Sequence, residues 1–81
     1  MEPEFIAKNA GARICVFEKY ITIKESLFSK DVMIPFKEIS SVESGILGLK
    51  INTKDRNDYR IALKSDDKEK IKNLIFAKLT E

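Results

Sequence analysis

Apolar and polar residues alternate in short stretches of this chain, which is the pattern of β-strands that bury one of their two faces. In residues 20–24 the alternation places Ile21 and Ile23 on one face and polar or amphipathic side chains on the other. Residues 13–18 carry apolar side chains on both faces, so they predict a strand that is central in its sheet or covered on both sides. Because only Lys19 and its immediate neighbours separate the two runs, we expect them to form a tight hairpin.

A second hairpin is predicted further along the chain. Residues 49–53 and 59–63 alternate in the same way, and the charged segment 54–58 between them is typical of a turn. Upstream, residues 32–36 form another apolar run, which contains Pro35. Because proline has no N–H group to donate across a sheet, this strand is expected to lie at an edge or to end at the proline.

The apolar spacing becomes irregular between these two hairpins. Ile39 and Val42 are three residues apart, which indicates a bulge or a helical turn in the strand predicted over 39–43. Gly45 and Gly48 flank two apolar residues and indicate a second bulge or a turn. We therefore expect the middle of the chain to depart from regular pairing at two points.

One amphipathic helix is predicted over residues 65–80. Its apolar positions recur at helical spacing, at Ile71, Leu74, Ile75 and Leu79, with Phe76 on the flank of this stripe. Asp66 is the expected N-cap, and Glu69 follows in the position of a capping box. Because the helix has no other apolar surface to pack on, we expect it to close the open end of a small bent sheet.

The composition indicates a single small domain without recognisable catalytic chemistry. The 81 residues make one domain over 1–81, in which residues 1–10 are an N-terminal strand or an extension. Histidine is absent, so no imidazole can act as a general base or as a metal ligand. The lone cysteine, Cys15, lies in an apolar run and is interpreted as a small buried hydrophobe. We therefore expect no enzyme activity, no metal site and no bound cofactor.

The N-terminal residues and the lengths of the apolar runs bear on localisation. Residues 1–4 are acidic and no long apolar stretch follows them, so they do not have the form of a signal peptide. The apolar runs span only a few residues, far too few to cross a bilayer. Since no second cysteine is present for an internal disulfide, we expect a cytoplasmic protein without a transmembrane segment.

The segment IPFKEISSVESG, residues 34–45, carries a resemblance to a known family. Together with the hairpins on either side and the helix, over residues 11–80, it resembles the pleckstrin-homology-like (PH-like) superfold and, in cadence, the short bacterial PH-like domains. The resemblance implies a mainly β fold of the α+β class. In such a fold six to seven strands form bent antiparallel sheets, or a partly open barrel, capped by one C-terminal amphipathic helix. It also implies a protein-interaction or assembly unit, including self-association.

One departure from that family concerns lipid recognition. Eukaryotic lipid-binding members place a cluster of Lys and Arg around their first hairpin. Here Lys19 stands alone between Glu18 and Tyr20. We therefore do not expect phosphoinositide binding.

Several apolar or strand-edge residues are candidates for contact with a protein partner. Leu27 and Phe28 lie in the polar loop 25–31, where they either fold back onto the core or anchor a partner chain. Phe76 on the helix flank carries the same two alternatives. The strand over residues 39–44, lined by Ser40 and Ser41, is the better candidate edge for an added peptide strand.

A basic sheet face is the alternative binding surface. Lys50, Arg60 and Lys64 are expected on one face of the last hairpin, and Lys24 on the outward face of its own strand. These residues form either a solvated exterior or a surface for an anionic partner, a nucleic acid or an anionic membrane. Because the net charge of the chain is only +2, we expect such binding to be weak and sensitive to salt.

Overall fold

The computed structural model describes residues 2–55 and 57–80, which form two antiparallel sheets and one C-terminal helix. The four-stranded sheet has the order β1-β2-β3-β4 and the three-stranded sheet has the order β5-β6-β7. The strands are β1 (Phe5–Asn9), β2 (Ala12–Val16), β3 (Tyr20–Lys24), β4 (Val32–Pro35), β5 (Ile39–Ser44), β6 (Gly48–Thr53) and β7 (Asp58–Ala62). The helix α1 spans Ser65–Leu79, and a short 3₁₀ helix spans Phe36–Glu38.

This architecture confirms the expected mainly β fold with a single terminal helix. Within the described ranges, strand pairing stays inside each sheet, so no closed barrel forms. The 3₁₀ helix connects the last strand of the first sheet to the first strand of the second. The two sheets enclose one core between them, and helix α1 packs against strands of both.

The predicted hairpin of β2 and β3 is confirmed, and it forms the centre of the four-stranded sheet. Ile14 pairs with Ile23, and both side chains are fully buried in the core. The N–H of Phe17 donates to the carbonyl of Tyr20 over 2.8 Å and closes the turn between the strands. Of the two alternatives for β2, the central position is the one that the structure shows, because β1 pairs along its other edge.

A tight turn of Ala10 and Gly11 joins β1 to β2. Both residues have positive φ, 48° and 89°, which is the combination of a type I′ hairpin turn. A side chain at Gly11 would also collide with the loop after β3, because a Cβ there would lie 2.9 Å from the Cβ of Leu27. The glycine is therefore required both by its backbone conformation and by this close approach.

The predicted irregularities in the middle of the chain are confirmed. The register of β5 against β6 shifts between Ile39 and Ser41, as in a β-bulge. The pair Gly45 and Gly48 encloses a turn, in which the N–H of the first donates to the carbonyl of the second over 2.8 Å. Strand β4 ends at Pro35 and lies at an edge of its sheet, as its proline predicts.

Helix α1 seals the core along its apolar stripe. Ile71 and Ile75 are fully buried, and Leu74 and Leu79 pack against the same cluster. The core also takes inward residues from every strand: Ala7, Ala12, Ile14, Val16, Ile21, Ile23, Ile34, Ile39, Val42, Leu49, Ile51 and Ile61. This confirms that the helix packs on the inner side of the sheets, where burial of its stripe stabilises the fold.

The helix begins at Ser65, as predicted, but its N-terminal cap differs from the prediction. Lys64 is the N-cap and no side chain caps the first turn, so the expected capping box of Asp66 and Glu69 is wrong. The physical reason lies immediately upstream, where Leu63 is buried and its N–H donates to the carbonyl of Leu47 over 3.1 Å. This anchor directly precedes Lys64 at the N-cap, so Asp66 lies inside the first turn, where it still complements the helix dipole.

Candidate functional site

The outer face of the four-stranded sheet carries a continuous row that crosses all four strands. Ile6 pairs with Cys15, Cys15 with Thr22, and Thr22 with Met33. Ile6 is 46% exposed and Met33 is 61% exposed, whereas Cys15 is covered by its neighbours in the sheet. We call these four residues the apolar row.

An aromatic pair extends the apolar row toward one end of the sheet. The rings of Phe17 and Tyr20 stack with centroids 4.6 Å apart and an interplanar angle of 18°. Tyr20 pairs with Pro35 of the edge strand, so this part of the outer face is also largely apolar. Both aromatic residues are half-buried. The outer face thus offers aliphatic, thioether and aromatic surface side by side.

A basic row lies at the opposite end of the same face. Lys8 pairs with Arg13, and Arg13 with Lys24, so the three cations cross β1, β2 and β3 in line. Arg13 forms an ion pair of 2.9 Å with Asp31, and this hydrogen-bonded carboxylate raises the pKa of its guanidinium. The row lines an open cavity of about 290 Å³ together with the turn at Gly11. We call Lys8, Arg13 and Lys24 the basic row.

The basic face predicted from the sequence is only partly assembled. Lys50 and Arg60 do face one another across β6 and β7. Lys64 lies beyond the end of β7, so it is not part of the strand pair that was expected to present it, whereas Lys24 lies on its own strand β3 in the other sheet, as expected. The hairpin alternation correctly placed the first pair, whereas the assignment of strands to two separate sheets is a tertiary property.

The outer face of the three-stranded sheet is dominated by polar residues that are paired with one another. Lys50 lies 3.8 Å from a carboxylate oxygen of Glu43 and 3.7 Å from one of Asp58. Asn52 donates from its amide nitrogen to the hydroxyl of Ser41 and to the carboxylate of Glu43, each over 2.9 Å. The hydrogen bond from Asn52 and the charge of Lys50 together hold the pKa of Glu43 below its ordinary value of 4.5. This network leaves Lys50 little free charge for an anionic ligand.

The two serines of the predicted edge strand point into the same network. The hydroxyl of Ser40 donates to the carbonyl of Asn52 over 3.1 Å, and Ser41 accepts from the amide of that residue. Strand β5 is indeed an edge strand of the three-stranded sheet. Its serine side chains contribute to the pairing with β6, and the addition of a peptide strand at this edge stays a prediction.

The two apolar residues of the loop 25–31 are exposed. Phe28 is 94% exposed and Leu27 is 64% exposed, so the alternative in which both fold back onto the core is wrong. Phe76 is also exposed on the helix flank, outside the buried stripe. Their exposure makes contact with a partner sterically possible, and such contact stays a prediction.

A second exposed apolar pair was not among the predicted site residues. Ile46 is 98% exposed and Leu47 is 81% exposed, at the turn between β5 and β6. The signal for it was present in the sequence, because two glycines enclose two large aliphatic residues. Ile6 and Met33 were missed for another reason. They lie on the two edge strands, β1 and β4, and only the order and register of the four strands bring them into one row.

The acidic residues of the last hairpin turn serve local structure. The hydroxyl of Thr53 donates to the carboxylate of Asp55, and the backbone N–H of Asn57 donates to it as well. These bonds hold the pKa of Asp55 below its ordinary value of 3.8. No group of three or more potential metal ligands occurs within residues 2–55 and 57–80.

Comparison with other proteins adds no assignment to this geometry. No helix in the described ranges is both long enough and apolar enough to cross a membrane. Comparison with known protein families, with curated proteins and with solved structures finds no match to this chain.

Proposed function

We propose that this chain is a non-catalytic binding module that docks a protein partner on the outer face of its four-stranded sheet. The observation that carries the proposal is the apolar row, which places Ile6, Cys15, Thr22 and Met33 side by side across the sheet and exposes the two large side chains at its ends. A soluble sheet that needs only solvent on its outer face alternates apolar inside and polar outside. Large exposed apolar side chains that lie beside charged residues, as Ile6 and Met33 do here, are instead typical of interaction sites.

The arrangement of charge on this face indicates the chemistry of the partner. The basic row borders the apolar row, and Lys8 and Lys24 form no ion pair with residues that the structure describes. A partner segment with apolar side chains and an acidic end complements both rows. The apolar part supplies most of the affinity, and the charges fix the orientation of the segment.

The order of the elements supports the PH-like resemblance as part of this proposal. Four strands, a connection and three strands precede a C-terminal helix that closes the core. In the family that the sequence resembles, such a unit acts in protein interaction or assembly. Because a fold alone does not determine a role, the proposal rests on the outer face and not on the resemblance.

A photo-crosslinking residue in place of Met33 tests the proposal in the native host. We expect discrete adducts with a partner protein, or with a second copy of this chain if the module self-associates. The matched control carries the same residue at Ala77, an exposed helix position away from this face. Sedimentation velocity of the purified chain identifies self-association independently.

The substitution Met33→Glu sharpens the same test. Because Met33 is exposed, we expect the free energy of unfolding to change by less than about 0.5 kcal/mol. When the crosslinking residue stands at another position of the apolar row, the negative charge at position 33 should abolish its adducts with the partner. Equal crosslinking at positions 33 and 77, together with a monomer at every concentration, would contradict the proposal.

A further inference from the structure

Two loops at one end of the molecule each expose two large apolar side chains. The loop 25–31 carries Leu27 and Phe28, and the turn between β5 and β6 carries Ile46 and Leu47. We call these pairs the two apolar tips. Each of the four side chains is more than half exposed, and Phe28 and Ile46 are almost fully so. The tips belong to different sheets and are distinct from the apolar row.

Side-chain hydrogen bonds between the sheets place the two tips at the same end. Asn9, at the end of β1, donates to the carbonyl of Ala62 over 3.1 Å. Ala62 pairs with Gly48, which directly follows the second tip. On the other side of Asn9, the turn at Gly11 abuts Leu27 of the first tip. The β1–β2 turn therefore connects one tip to the other.

A further bond fixes the loop 25–31 against the three-stranded sheet. The carboxylate of Glu25, where the loop begins, accepts the backbone N–H of Arg60 over 2.9 Å. Within the loop, the N–H of Ser29 donates to the carbonyl of Ser26 over 3.1 Å, and their hydroxyls lie 2.8 Å apart. These bonds bracket Leu27 and Phe28 in a closed turn that holds them outward.

The second tip is held in a comparable way. Lys68 donates from Nζ to the carbonyl of Gly45 over 2.8 Å, which ties the turn to helix α1. The carbonyl of Leu47 accepts the N–H of Leu63 over 3.1 Å. These two hydrogen bonds anchor the backbone on both sides of Ile46, whose side chain is exposed.

Around the first tip, basic residues outnumber acidic residues. Lys24 and Lys30 lie on either side of it in the chain, and Lys8 and Arg13 line the cavity beside the adjoining turn. The acids of the same region are fewer: Glu25, which accepts a backbone N–H, and Asp31, which forms an ion pair with Arg13. Lys68 lies beside the second tip, where its Nζ donates to the carbonyl of Gly45. The end that carries the tips therefore combines protruding apolar groups with an excess of positive charge around the first tip.

We propose that this end docks onto an anionic lipid surface, with the two apolar tips inserted among the acyl chains and the surrounding lysines at the headgroups. A protein partner would need a pocket shaped for each protruding tip, whereas a bilayer accepts such side chains without matching shape. Amphipathic insertion beside basic residues is the chemistry by which peripheral proteins bind membranes. Each lysine near an anionic surface adds attraction that salt weakens.

Vesicle sedimentation with the complete chain tests this proposal. The probes are vesicles of phosphatidylcholine alone and of an equimolar mixture of phosphatidylcholine and phosphatidylglycerol. We expect binding to the mixed vesicles only, and weaker binding as salt is raised. The variants Phe28→Ser and Ile46→Ser should each bind about tenfold more weakly or worse, because each withdraws a large apolar group from the acyl region. The variant Lys24→Ala should bind about fivefold more weakly.

The control substitution is Met33→Ser, which removes an exposed apolar side chain from the outer sheet face. It should leave vesicle binding unchanged and so separates this proposal from the protein-docking function. Absence of binding to the mixed vesicles would overturn the proposal, and so would equal loss in Met33→Ser and Phe28→Ser. Equal binding to both kinds of vesicle at all salt concentrations would also overturn it, because the lysines would then play no part.

Discussion

The outer faces of the two sheets differ sharply although their inner faces are alike. Both sheets bury aliphatic side chains, such as Ile14 and Ile51, in one shared core. On the outside, the three-stranded sheet presents Asn52 and Lys50, each bonded or ion-paired to neighbours in the same sheet. The four-stranded sheet presents the apolar row instead.

The difference indicates which outer face already pairs its polar groups within the sheet and which exposes apolar side chains to a ligand. In the three-stranded sheet the polar groups find partners within the sheet, so a ligand must compete with bonds that already exist. In the four-stranded sheet the apolar row exposes Ile6 and Met33 beside the basic row, and removing these two apolar side chains from water is favourable for any partner that fits. The first face is therefore suited to contact with solvent and the second to recognition.

The largest expected effect concerns Gly48, where β6 approaches β7 closely in the three-stranded sheet. A Cβ on Gly48 would lie 1.9 Å from the carbonyl oxygen of Ile61, a contact that only backbone movement can relieve. We expect Gly48→Ala to lower the free energy of unfolding by about 2–3 kcal/mol, measured by urea denaturation.

Gly45→Ala is the matched control for that substitution. It lies at the other end of the same turn, and its added Cβ would meet its nearest atom at 3.8 Å, an ordinary contact. We expect a change of less than about 0.5 kcal/mol. Similar losses in both variants would show that the tight approach of β6 and β7 does not determine the stability of this sheet.

A smaller effect is expected when one substitution on each outer face is compared for its loss of stability. Asn52→Ala removes two side-chain hydrogen bonds and should cost about 1 kcal/mol. Thr22→Val, on the apolar row of the other sheet, replaces a hydroxyl with a methyl group of similar size and should be neutral within about 0.5 kcal/mol. Thermal denaturation of both variants measures the contrast, and a larger loss in the threonine variant would reverse it.

The smallest effect is a dependence on pH confined to the polar face. Because the pKa of Glu43 is lowered in the folded chain, its carboxylate stabilises the fold above the ordinary value of 4.5. This stabilisation is lost as the pH falls through the lowered pKa. NMR titration should show the pKa of Glu43 returning toward its ordinary value in Asn52→Ala, because the hydrogen bond from Asn52 is the largest cause of the shift. An unchanged pKa of Glu43 in this variant would show that the charge of Lys50 causes the shift instead.

Local pattern was sufficient to predict much of the fold. The alternation of Ile21 and Ile23 identified the inner face of β3, and the spacing of Ile71 and Ile75 identified the buried stripe of the helix. Pro35 correctly indicated an edge strand. The cap at Asp66 was wrong because Lys64, next to the buried Leu63, takes the N-cap position, and the burial of Leu63 is a tertiary contact.

The sequence by itself determined the inward residues of each strand and the existence of the terminal helix, because these depend on periodicities of two and 3.6 residues within one segment. Only the tertiary structure decided which outer face is apolar and which loops share an end. Cys15 lies in an apolar run whether or not Ile6 and Met33 stand beside it, and strand order and register alone bring them together. Likewise, the bond from Asn9 to Ala62 joins residues far apart in the chain, so no local pattern could place the two apolar tips together.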